Sequence, residues 1–358
     1  MSVADHEAAW QRLREASLVE GEIPPPGAHS SPWYVRAMLG IAGWIGAMFL
    51  LGFIAVGLAA IIKSNTAAIV VGAVFCAAAF AIFRFAKDNV FATQFALAVS
   101  LAGQALFIFG IASDIRGEGT GFALTIFVLE AALAVAVPNF IHRVMTTFAA
   151  MMALAWMLGT FGAWTLTPVI PALGIAIIWL DESLWARRAS TWAPIGYGLV
   201  LGMLMTSAML TWWGQGGFLF PELRRVSAIS APWFSRVVIA GLLVFAVVRL
   251  LQRESVEPGS RSGMFALALV SVIALASLLA PGVASALLLI LLGFATANRI
   301  LLALGFAAFA GFLSNYYYRL DSTLLVKSMV LMGLGAGILG ARVALDRMLG
   351  PGKEGADA

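Results

Sequence analysis

Between Val144 and Leu180 the chain carries no Asp, Glu, Lys, Arg or His. As a single helix, at 1.5 Å per residue, that run would be ~55 Å long. The hydrocarbon core of a bilayer is ~30 Å thick, so the run has to turn back on itself, and Gly162 is where it does so most readily. Met264–Ala297 poses the same problem, and Pro281 with Gly282 supplies its turn. The short member of each pair fits either a full crossing or a re-entrant segment.

Composition generalises the point. Hydrophobic residues make up 61% of the 358 residues, against ~45–50% in soluble domains. Charged residues make up 11%, against a usual ~25%. A soluble fold of this length has no way to bury so much apolar surface. The ~10-residue alternation of a membrane β-barrel is not seen. The fold class is therefore all-α, a polytopic helical membrane protein with about twelve transmembrane helices. The spans read as Ala37–Ile62, Thr66–Phe83, Phe91–Ser113, Gly121–Val137, Val144–Gly162 and Trp164–Leu180 in the first half. The second half gives Ala193–Trp213, Ser235–Leu251, Met264–Ala280, Val283–Ala297, Ile300–Tyr318 and Thr323–Leu345.

Around this membrane domain, residues 37–345, lie two polar ends. Residues 1–36 lack the pattern of a signal peptide. Ala9, Trp10, Leu13 and Ala16 fall at helical spacing, which predicts a short amphipathic helix that ends before Pro24, Pro25, Pro26 and Gly27. Residues 346–358 form a polar tail. The net charge is +4, and its placement reports threading rather than nucleic-acid binding. With both termini in the cytoplasm, Arg84, Lys87, Arg143, Arg187, Arg188, Arg249, Arg253, Arg261 and Arg299 all fall inside, whereas Lys63, Arg116, Arg224, Arg225, Arg236 and Arg319 fall outside. The bias expected of a multi-pass protein favours this orientation.

Few residues are equipped for chemistry. No catalytic constellation is legible. The one cysteine, Cys76, sits in an apolar run and has no partner for a disulfide, and the three histidines are far apart, so neither a metal nor a cofactor is expected. Gly117–Gly121 lacks the Lys-Ser/Thr of a phosphate-binding loop and reads as a turn. Glu130 and Lys327 are the two ionisable groups inside apolar runs, and they are the candidate intramembrane functional residues. Glu130 lies ~10–14 Å from either end of its span, too deep for its short side chain to reach water. It therefore needs a proton, a partner or a wet cavity. Lys327 is ~6–9 Å deep, and its stem can snorkel. The heights predict that the two can pair. Weaker candidates are Gln104, the Asp181-Glu182 pair, Arg319 and Asp321. The loop Gly214–Phe234 is rich in aromatics that suit a membrane interface. Gly40, Gly43 and Gly46, and the Gly333-x-x-x-Gly337 spacing, invite close helix packing and offer faces for a homo-oligomer.

The segments SNYYYRLDSTLLVKSMVLMGLGAGILGAR and LVEGEIPPPGAHSSPWYVRAMLGIAGWIGAMFLLGF resemble the two ends of the domain-of-unknown-function 4401 family of bacterial membrane proteins. The resemblance implies a polytopic membrane protein of unassigned activity in the bacterial inner membrane, with membrane or exported proteins as partners. It carries over no catalytic residue. Two functions are then expected. The first is a non-enzymatic membrane component or scaffold of an envelope complex, in contact with the lipid bilayer and a protein partner. The alternative is a secondary transporter or ion-coupled carrier that uses an intramembrane acid.

Overall fold

The computed structural model describes residues 10–12, 14, 33–59, 64–86, 89–114, 119–212 and 233–319, with 325 and 332. These residues form eleven α-helices and one 3-10 helix, and the chain divides into two compact units, Met1–Phe107 and Ile108–Ala358. The expected twelfth span, Lys327, Asp321, most of the aromatic loop and the polar tail lie outside the described residues. So does most of the N-terminal amphipathic segment, where Trp10, Gln11, Arg12 and Arg14 are helical.

The first unit holds α1 (Trp33–Ala59), α2 (Asn65–Phe85) and most of α3 (Val90–Asp114). Its packing follows from its glycines. A Cβ on Gly72 would lie 2.6 Å from the Gly103 carbonyl, and one on Gly103 would lie 2.8 Å from the Gly72 carbonyl. Helices α2 and α3 therefore touch backbone to backbone, which only residues without a side chain permit. Gly43 of α1 faces the Phe91 carbonyl of α3 in the same way, at 2.9 Å. Trp44 beside it donates its indole N–H to Gln94 Oε1 at 3.1 Å.

The second unit contains α4 (Thr120–Ala136), α5 (Phe140–Thr160), the 3-10 turn Trp164–Leu166 and α6 (Val169–Leu180). It continues through α7 (Glu182–Trp212), α8 (Trp233–Arg253), α9 (Arg261–Ser277), α10 (Val283–Ala295) and α11 (Arg299–Arg319). Both turns demanded by the uncharged runs are present. Gly162 adopts φ 71° after α5, and Gly282 adopts φ 84° before α10, left-handed conformations that glycine enters without steric cost. Trp164 then folds back over Gly159, where a Cβ would strike the indole ring.

Six helices are long and apolar enough to cross a membrane: Asn65–Phe85, Val90–Ala112, Phe140–Thr160, Arg188–Thr211, Trp233–Arg253 and Arg299–Tyr318. Thr120–Ala136, Trp164–Leu180, Arg261–Ser277 and Val283–Ala295 are shorter apolar helices, as is Met38–Phe49 within α1. The chain is a multi-pass membrane protein. With 12 and 13 residues, α6 and α10 rise only ~18–20 Å, short of a bilayer core. They form the centre of the unit. Ile175 of α6, Val200 and Met203 of α7, Ala246 of α8, Leu288, Leu289 and Leu292 of α10 and Leu301 of α11 are fully buried in one cluster. Short helices of this kind are tolerated at membrane depth where protein surrounds them, and the first residues of both, Val169 and Val283, are buried. Lipid is as apolar as leucine, so this core is held by close packing rather than by exclusion of water. Outward-facing side chains such as Phe245, Leu275, Leu279 and Phe306 stay exposed, as lipid contact requires.

Candidate functional site

Among the described residues of the second unit, the buried ionisable groups lie on the antiparallel pair α4–α5. Its register is fixed at both ends. The Thr120 and Thr160 hydroxyls share a hydrogen bond of 2.9 Å, and Phe122 meets Trp156 edge to face, 5.7 Å between ring centres. At the other end Arg143 Nη2 donates to the Val135 carbonyl at 3.3 Å. Along this ladder Glu130 comes level with Phe148–Ala150, in the middle of both helices, where α5 offers alanines rather than polar groups.

Glu130 is 2% exposed, and its Oε2 has no hydrogen-bond partner. A buried carboxylate without a partner or a hydrogen bond is strongly disfavoured. A proton or a cation has to neutralise it whenever the site is closed as seen. Its expected partner Lys327 lies outside the described residues.

Arg143 sits at the far end of the same pair and has the opposite character. The sequence alone assigned it to a loop as an orienting cation, yet it is 9% exposed. Nη1 donates to the Ser190 carbonyl at 3.1 Å and to Thr191 Oγ1 at 3.3 Å, while Nη2 takes Val135. Both carbonyls are orphans for local reasons. Ser190 would normally accept from the N–H four residues on, but that residue is Pro194. Val135 would accept from Asn139, whose N–H instead goes to the Val137 carbonyl at 3.0 Å. The α7 backbone also breaks two residues earlier, at Arg188 (φ −151°, ψ 45°). Arg143 therefore clamps three helices by filling acceptors that a proline and a helix end leave open. Nε remains without an acceptor. A proline four residues after a polar carbonyl was the signal available in the sequence, but it names the acceptor and not the donor.

Of the other polar residues near this layer, Asn139 and Thr146 bond to the backbone of α5. His142 is fully buried at the start of α5, where Asn139 caps the helix by accepting from the His142 N–H at 3.0 Å. Thr146 donates to the His142 carbonyl at 2.9 Å. Further along α7, Ser207 shares a 3.0 Å hydrogen bond with Ser285 of α10.

The other sequence candidates scatter. Gln104 is buried in α3 and donates to Ser100 Oγ at 3.2 Å, one turn back on its own helix. Asp181 is exposed and ends α6. Glu182 opens α7 and Arg319 closes α11; the side chains of these two are outside the described residues. Gly119 (φ 104°) precedes α4, which makes the glycine segment a turn at a helix start. Among the described residues no group of three or more His, Cys, Asp and Glu is placed to hold a metal.

Residues 32–348 match the family model described as domain of unknown function (DUF4401). No curated protein matches the chain, and no solved structure does.

Proposed function

The chain belongs to the DUF4401 family, and from that premise we propose that it is an ion-coupled carrier in which Glu130 is the coupling acid. One observation carries the reading: a carboxyl group 2% exposed in mid-helix with an oxygen that nothing in its surroundings satisfies. A structural acid in such a place is normally hydrogen-bonded. An acid that loads and unloads a proton or cation has to be left open in one state of the cycle. The scaffold reading rested on small-residue helix faces, on few polar residues in the spans and on the lack of a catalytic constellation. Of its small-residue faces, Gly40, Gly43 and Gly46 already meet Gln94 and Phe91 of the chain's own third helix, which shifts the weight to the carrier. The same proposal places the protein in the bacterial inner membrane with both termini cytoplasmic, on the distribution of Lys and Arg.

The test uses the full chain in proteoliposomes adsorbed on a solid-supported electrode. Charge movement is recorded on rapid addition of a panel of inorganic and organic ions across an imposed pH gradient. At least one ion should evoke a current that Glu130→Gln abolishes while folded yield is kept. Silence across the panel, or currents unchanged in Glu130→Gln, would overturn the assignment.

A further inference from the structure

We propose that the cavity where α6, α8 and α10 end together binds an oxyanion of the phosphate class. This goes beyond the carrier reading and does not depend on it. The cavity has a volume of about 580 Å³, and Trp179, Tyr197, Arg253, Thr296, Asn298 and Arg299 line it. Its polar side chains supply donors from several helices, and no Asp or Glu is among its described lining residues. The two guanidiniums come from different helices rather than from a single fork, which suits a tetrahedral oxyanion better than a planar carboxylate.

The position of Arg299 is the decisive feature. It opens α11, and the first turn of that helix holds no acid. A cation there meets the positive end of the helix dipole, the unfavourable arrangement. Arg253, in contrast, lies in the last turn of α8, where the dipole welcomes it. An anion held in this cavity would relieve Arg299.

The neighbouring polar groups are built to hold such an anion. Asn298 Nδ2 donates to the Tyr197 hydroxyl at 2.7 Å, and Asn298 Oδ1 caps α11 by accepting from the N–H groups of Ile300 and Leu301 at 3.1 and 3.2 Å. That bond uses one proton of the amide and none of the hydroxyl's own. One amide proton and the Tyr197 hydroxyl proton remain for a ligand. Trp179 stacks edge-on against Tyr197, 5.7 Å between ring centres, and gives the cavity an apolar wall. The site thus fits phosphate whether it arrives on a lipid or in solution.

The experiment uses the purified full chain in detergent. Native mass spectrometry reads retention of phosphatidylglycerol against phosphatidylcholine, and calorimetry reads inorganic phosphate. Preference for phosphatidylglycerol identifies a lipid headgroup as the source; heat with phosphate alone identifies a soluble ligand; either supports the site. Replacing both Arg253 and Arg299 by Gln should weaken the observed binding by at least about tenfold, as loss of charge-assisted donors requires. Arg249→Gln, on the same helix but outside the cavity, should leave it within about twofold. Should the double variant fail to fold, Tyr197→Phe is read instead and should weaken binding by about threefold or more. Binding of neither probe overturns the proposal, as does an equal loss in Arg249→Gln. Glu130→Gln should bind normally, so this test and that of the carrier fail separately.

Discussion

Glu130 and Arg143 lie on facing helices of one pair, and the fold treats them in opposite ways. Both are withdrawn from solvent. The arginine reaches three acceptors on two other helices; the glutamate leaves Oε2 without a partner. The difference lies in the backbone around them. Arg143 stands where α4 ends and where Pro194 has removed an N–H from α7, so free carbonyls are at hand. Glu130 stands in mid-helix, where every nearby carbonyl and N–H is already used by the helix itself. A buried charge is structural where the fold has spare partners for it and a candidate for function where it has none.

The largest expected effect breaks the structural half of this comparison. Arg143→Met should lower stability in detergent by ~3 kcal/mol, because two part-buried carbonyls lose charge-assisted donors. Thermal unfolding with size-exclusion recovery reads the loss. Arg143→Lys should recover only part of it, since one ammonium cannot replace a fork that spans three helices. Adding Pro194→Ala to Arg143→Met returns an N–H to the Ser190 carbonyl and should regain ~1 kcal/mol. If that double variant is no better than Arg143→Met, the proline is not the origin of the orphan acceptor.

Next in size is Gly103→Ala, which tests packing without charge. Its Cβ would sit 2.8 Å from the Gly72 carbonyl and 2.9 Å from Cys76 Sγ, and overpacking of this kind costs ~1–3 kcal/mol. Cys76 should become more reactive to a membrane-impermeant maleimide in the variant than in the parent protein, where labelling should be negligible. Fast labelling of the parent would show that water reaches α2.

Glu130→Gln should change stability least, by less than ~1 kcal/mol, because it removes the ionisable group without removing a hydrogen bond. A loss as large as that of Arg143→Met would make Glu130 structural and sink the functional contrast. The pairing expected from sequence sharpens the same point. If Lys327 neutralises Glu130, Glu130→Gln or Lys327→Met alone should lower folded yield and the double variant should partly restore it. Additive losses dismiss the pair.

Much of the architecture was legible from the residues alone. Long uncharged runs force helices, a run longer than the bilayer forces a turn, and glycine is the residue that accepts the turn's left-handed backbone. The expected spans therefore begin and end within a few residues of most helices, and Gly162 and Gly282 stand where the chain reverses. Glu130 was legible too, because an acid in mid-span is conspicuous wherever its helix packs. The tertiary structure alone decided that α6 and α10 are short and central, and that α2 and α3 meet through Gly72 and Gly103. It alone decided that Arg143 leaves the loop to clamp three helices, and that Arg253 and Arg299 share a cavity. The physical reason is the same in each case. Hydropathy records the cost of moving a residue from water into lipid, a property of single residues. A hydrogen bond or a backbone contact needs two partners, and only the packed helices bring those together.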